Sequence, residues 1–115
     1  MTYNTAIINR IASGSIKKVF LFGDSFDRPK TSYVVVKPIA GGDRKLYQII
    51  VHVVIGMQDV LEKYILHELS ELLKEPLEAD GKVTVRSTGA WTGPYVDEAD
   101  NSLAMTRDFY IPIIL

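Results

Sequence analysis

Cysteine is absent from all 115 residues, so neither a disulfide framework nor a thiolate metal site is available. Histidine is scarce as well. His52 and His67 are the two in the chain, too few for a His-rich metal centre. An excess of one charge is missing: 13 Lys and Arg against 14 Asp and Glu leave a formal charge of −1, with no electrostatic drive toward nucleic acid. Long hydrophobic runs are missing too. The longest, Ile49 to Ile55, is broken by His52 and is far too short to span a bilayer. The N-terminal residues are interrupted by Asn4, Thr5, Asn9 and Arg10 and lack the apolar core of an export signal. These absences lead to the expectation of a soluble intracellular chain with no membrane contact, no cofactor and no bound metal.

What is present suits one folded unit spanning residues 1–115. A hydrophobic fraction of 47% with 23% charged residues is ordinary for a globular domain. A chain of this size buries roughly 60–70% of its unfolded surface, enough for a core without staples. Tyr3, Ile7 and Ile11 at spacing four, with Ile8 beside them, predict a short helix over 3–12 that stops near Gly14. Ile16 to Phe22 predicts a first strand, and the β-branched stretch Thr31 to Ile39 a second. Pro38 belongs near a strand end or on an edge, because it cannot donate a ladder hydrogen bond. Residues 40–44 read as a hairpin loop. The third strand, Lys45 to Ile55, carries Tyr47, Ile49, Val51, Val53 and Ile55 on one face, with Gln48 and His52 interrupting the other.

Asp59 to Glu75 predicts an amphipathic helix with Val60, Leu61, Tyr64, Ile65, Leu69, Leu72 and Leu73 as its apolar stripe. Asp59 and Glu62 have capping-box spacing, and Pro76 follows the last turn. Lys82 to Ser87 predicts a fourth strand, Thr88 to Ser102 a long Gly/Pro-containing loop, and Leu103 to Leu115 a last strand. The order α-β-β-β-α-β-β implies an α+β fold: a mostly antiparallel sheet of about five strands with two helices on one face.

The stretch Val19–Phe26, VFLFGDSF, resembles the first block of the GDSL (SGNH) hydrolases, in which the serine of Gly-Asp-Ser is the nucleophile. A serine nucleophile needs a base held by a third group. That family places the base in a D-x-x-H motif near the C-terminus. Here Ile49 stands three residues before His52, Tyr64 stands three before His67, and no histidine follows His67. The chain is also too short for the family's layered parallel scaffold. Gly23, Asp24 and Ser25 are better read as turn residues after a strand. The expectation is no catalytic residue and no enzyme.

Other constellations are weak. An isolated His52 on the polar face of a strand reads as exposed or hydrogen-bonded, although it has the chemistry of a ligand or a base. His67, flanked by Lys63 and Glu71 one turn away, reads as a solvated helix face. Asp97, Glu98 and Asp100 lack the spacing of an EF-hand loop and read as solubilising charge. Gly41-Gly42-Asp43-Arg44 lacks the helix start that a phosphate-binding loop needs. Trp91 and Tyr95, in a Gly/Pro-rich segment, either fold back on the core or anchor a protein contact. The third and last strands carry more apolar surface than two short helices can cover, which suggests a subunit interface.

Several stretches together resemble one family along nearly the whole chain: YVVVKPIAGGDRKLYQIIVHVVIG running into LEKYILHELSELLK, then RSTGAWTG, and the closing TRDFYIPIIL. With the size and element order, they are similar to the tail terminator (tail completion) proteins of long-tailed bacteriophages, including the minor tail protein U type. The resemblance implies a structural virion protein that forms a ring, a hexamer in that family, on the head-proximal end of the tail tube. Its partners would be copies of itself, the tail-tube protein and the head-completion connector. It implies assembly in the bacterial host cytoplasm and no sequence-specific nucleic-acid recognition, while leaving room for DNA to pass through the ring. The contact loops would hold Phe26 and Arg28 in one stretch, and Trp91, Tyr95 and Asp97 in the other. Alternatives are another head–tail joining or minor capsid protein, a host-encoded α+β binding module forming a simple dimer, and a small serine hydrolase using Ser25.

Overall fold

The computed structural model describes residues 2–24, 27, 30–39, 44–54, 56–79 and 81–112. Helix α1 (Tyr3–Ala12) starts where the Thr2 hydroxyl accepts a hydrogen bond from the Thr5 backbone N–H at 3.1 Å, a side-chain N-cap. It turns Ala6, Ile7 and Ile11 inward. The chain leaves α1 through Gly14, where a Cβ atom would lie 2.6 Å from Leu72 Cδ1 and 2.7 Å from Glu68 Oε2. A larger residue at this position would have to displace these two side-chain ends, both of them flexible.

Strand β1 (Val19–Leu21) is shorter than expected and runs parallel to β2 (Tyr33–Ile39). Strand β3 (Arg44–Val54) pairs antiparallel with β2, placing Tyr33 opposite His52 and Val36 opposite Ile49. Pro38 lies near the end of β2, beyond the residues that β1 pairs. Helix α2 occupies residues 58–74 and contains a π-helical stretch, Tyr64–Leu69. Its stripe buries Leu61, Tyr64, Ile65, Leu69 and Leu73, whereas Val60 is exposed. The expected capping box does not form: Met57 is the N-cap and makes no side-chain capping bond.

Strands β4 (Leu77–Glu78) and β5 (Lys82–Val83) pair as a small separate hairpin. The fourth strand expected over Lys82 to Ser87 is split, its first two residues in β5 and its last two in the strand that follows. The long loop expected from Thr88 is instead strand β6 (Arg86–Asp97), which pairs with β7 (Ser102–Pro112). The register of that pairing shifts between Thr88 and Thr92 and again between Thr92 and Tyr95. Gly89, Gly93 and Pro94 fall in these irregular stretches and erase the alternation that marks a strand in sequence. An edge strand tolerates this, because its outer backbone groups have no ladder to break.

The main sheet has the order β1-β2-β3-β7-β6, with every pair antiparallel except β1–β2. This is the expected α+β architecture. One face buries Val34, Val36, Tyr47, Ile49, Val51, Val53, Met105, Phe109 and Ile111 in a single cluster with the inward sides of both helices. Among the described residues, no helix lies over the other face. The expected continuations Ile55, Ile113 and Leu115 lie outside the described residues.

Candidate functional site: the open sheet face and the β6–β7 turn

The face away from the helices is built by the residues that alternate with the core. In register, Tyr33 faces His52, Val35 faces Ile50 and Ile39 faces Leu46, while Thr106, Asp108 and Tyr110 continue the same face on β7. Phe20 packs edge-on to Tyr33, with centroids 6.3 Å apart. Phe22 is 55% exposed, with the Lys37 ammonium 4.7 Å from its ring centroid. Ile39 is also exposed, and Leu46, Ile50 and Tyr110 are half-buried. Tyr33, Val35 and His52 are buried on this face, whereas the patch around Phe22, Ile39, Leu46 and Ile50 is open among the described residues. A mixed aromatic–aliphatic patch of this kind is how a small domain presents an interface.

At one end of this face the β6–β7 turn folds onto β3. His52 is 3% exposed, stacked on the Tyr33 ring at 4.3 Å between centroids and 5° between planes. Its Nδ1 lies 2.8 Å from Ser102 Oγ and 4.0 Å from Asp97 Oδ2. Asp97 Oδ1 accepts from the Ala99 N–H, and Asp100 Oδ1 accepts from the Ser102 N–H. The Tyr33 hydroxyl donates to Asp100 Oδ2 at 2.5 Å. Asn101 takes the left-handed conformation (φ 56°) that closes the turn, one that Asn adopts more readily than most residues. Of the two expectations for His52, the structure gives the hydrogen-bonded one, in a buried setting. Asp97 and Asp100 are corrected from solubilising charge to half-buried members of this network, and Glu98 alone of the three is exposed.

Serine, histidine and aspartate therefore meet, but not as a catalytic relay. A relay needs serine on one ring nitrogen and the carboxylate on the other, so that the proton passes through the imidazole. Here Ser102 and Asp97 both approach Nδ1, and Ser102 is itself buried. This arrangement anchors a turn to a sheet. The other serine of interest, Ser25, lies outside the described residues, as do Phe26 and Arg28 and the expected Gly41–Asp43 loop.

Trp91 and Tyr95 are strand residues on opposite sides of β6, and not a loop pair. Trp91 is half-buried and packs edge-on to Phe109, with centroids 6.0 Å apart. Tyr95 is 41% exposed on the open face, opposite Ala104. Burial, and then the nearby Asp97 charge, push its hydroxyl pKa up. Trp91 borders a groove of about 350 Å³ between α2 and β6, with Leu66, Lys74, Arg107 and Phe109 also in its wall. Arg107 donates to the Gly89 carbonyl at 2.8 Å, while its buried Nε has no hydrogen-bond partner among the described residues. His67 is exposed on α2, as its pattern suggests.

Sequence reasoning missed Tyr33, Ser102 and Arg107. Each sits in a strand as an ordinary alternating residue, and only the strand register brings Tyr33 and Ser102 to His52. Neither a protein-family model nor a curated protein matches the chain.

Proposed function

We infer that the chain is a structural subunit working through protein–protein contacts, and specifically a tail-terminator-like protein that closes into a ring on the head-proximal end of a phage tail tube. The observation that carries this reading is the presence of two unlike apolar surfaces on one small domain. The open sheet face offers Phe22, Ile39, Leu46 and Ile50. The α2–β6 side offers the groove beside Trp91, with Leu66 62% exposed at its wall. A cyclic ring needs two different, mutually complementary patches, whereas a two-fold dimer needs one patch that matches itself. The whole-chain resemblance to tail terminators supports the same reading. Its element order matches the α-β-β-β-α-β-β series in the main sheet and helices.

The test is native mass measurement of the purified chain alone, and then with a tail-tube protein from the same genome. Six-fold rings, alone or on tube ends in electron micrographs, are the expected result. A chain that stays monomeric at high concentration with the tube protein present would sink this reading. A stable two-fold dimer would replace it with the simpler binding module.

A further inference from the structure

We propose that the β6–β7 turn of one copy docks into the α2–β6 groove of the next, with Val96 as its apolar anchor and Glu98 as its charge. The proposal rests on the ring reading and names the contact that builds the ring. The groove, about 350 Å³, has Leu66, Leu73, Trp91 and Phe109 in its wall, and its two charged residues, Lys74 and Arg107, are both cations. Arg107 commits one N–H to the Gly89 carbonyl, and its Nε has no hydrogen-bond partner among the described residues. An apolar slot edged by two cations and no acid is complementary to an apolar side chain with a carboxylate close by.

The turn supplies that pair. Residues 95–102 hold three acids and no cation. Asp97 and Asp100 are engaged in holding the turn together and to the sheet, through backbone N–H groups, His52 and Tyr33. Glu98 is the acid that the turn exposes. Val96, two residues earlier, is 51% exposed, although it pairs with Leu103, which packs against the core. The same end of the sheet exposes Val54, which pairs with Ser102, and Met57, whose N–H donates to the Val54 carbonyl at 3.0 Å. The tip is therefore apolar around one outward carboxylate. Trp91 and Glu98 are seven residues apart along an extended strand. That is roughly 20 Å at the usual strand rise, so the turn cannot enter the groove of its own chain. The two patches meet only between copies. Each copy gives its turn to one neighbour and its groove to another, the heterologous contact that closes a ring.

The chain has no cysteine, so single-cysteine variants of the full chain report one position each. Lys74→Cys and Glu98→Cys chains, mixed and treated with a short bis-maleimide linker with and without tail-tube protein, should give a dimer of one with the other. Neither variant alone should give a linked dimer. In sedimentation velocity, Leu66→Asp and Val96→Ser should each weaken self-association by at least about tenfold. Glu98→Lys should weaken it as well, and adding Lys74→Glu to the same chain should restore part of the loss. These four positions are exposed, so thermal melts of the variants should match the parent. Rings that form with no mixed crosslink, or that ignore Leu66→Asp and Val96→Ser, overturn this contact and leave the ring reading standing. Loss of tube binding in these variants while the ring persists overturns it in favour of the tube as occupant. Glu98→Cys linked to itself in a two-fold dimer overturns both readings, as does a chain that stays monomeric with tube protein present.

Discussion

Single residues in this fold differ sharply in whether their polar atoms are matched. Tyr64 is 4% exposed, and its hydroxyl has no hydrogen-bond partner among the described residues. Burial, reinforced by the Glu68 charge, raises its pKa well above the ordinary value of 10.0. A raised folded-state pKa means that the folded chain resists ionisation more than the unfolded chain does. The associated stability is intact below pH 10 and is lost as pH climbs above it toward the folded-state value. Tyr64→Phe should remove most of that alkaline loss. At neutral pH it should be neutral or stabilising by about 1 kcal/mol, since an unpaired buried hydroxyl is a liability. Urea melts at pH 7 and pH 10.5 check both statements. A loss of stability at pH 7 would mean that the hydroxyl has a partner after all. Arg10 is the opposite case. Its guanidinium donates to the Leu72, Glu75 and Pro76 carbonyls at 3.0, 2.8 and 2.9 Å, capping the end of α2 from α1. Arg10→Met should cost about 1–2 kcal/mol in a denaturant titration. Lysine should recover only part of it, because one ammonium cannot reproduce the fork.

At the scale of elements, periodicity was a dependable guide where an element packs on one side. Tyr47, Ile49, Val51 and Val53 are all buried on the helix face, and the stripe of α2 is buried at Leu61, Tyr64, Ile65, Leu69 and Leu73, with Leu72 half-buried and Val60 exposed. It failed for β6, an edge strand whose register shifts hide any alternation. Gly93 shows why the segment reads as loop. Its φ is 119°, and a Cβ there would lie 2.8 Å from the Ala104 carbonyl oxygen, so the residue that breaks the pattern is the one the pairing requires. Gly93→Ala should destabilise the chain by about 2 kcal/mol. Hydrogen exchange should locate the loosening in β6 and β7, and protection should hold in β2 and β3. Uniform loss across the sheet would show that β6 is no local unit.

For the whole molecule, the question is what meets the exposed part of the second sheet face, around Phe22 and Ile39. Phe22 at 55% exposure and half-buried Leu46 contribute little to the monomer's core. The pair Phe22→Ser and Leu46→Thr should change monomer stability by no more than about 1 kcal/mol. The same pair should weaken self-association or tube binding measurably in sedimentation velocity. Unchanged association would move the ring interface away from this face and onto the groove beside Trp91.

From the sequence alone came the class of fold, because hydrophobic spacing is a local property that each element carries by itself. Helix and strand periods, turn-rich breaks and chain length were enough for five strands with helices on one side. The sequence also leads to the expectation that Ser25 is not a nucleophile, since neither histidine stands in the D-x-x-H setting of the hydrolases that its stretch resembles. The neighbours of His52 were decided only by tertiary structure. Tyr33, Asp97, Asp100 and Ser102 stand 19 to 50 residues from it in the chain and meet it through strand register and one left-handed turn residue. Register is fixed by which faces bury together, a property of pairs of strands and not of either strand alone.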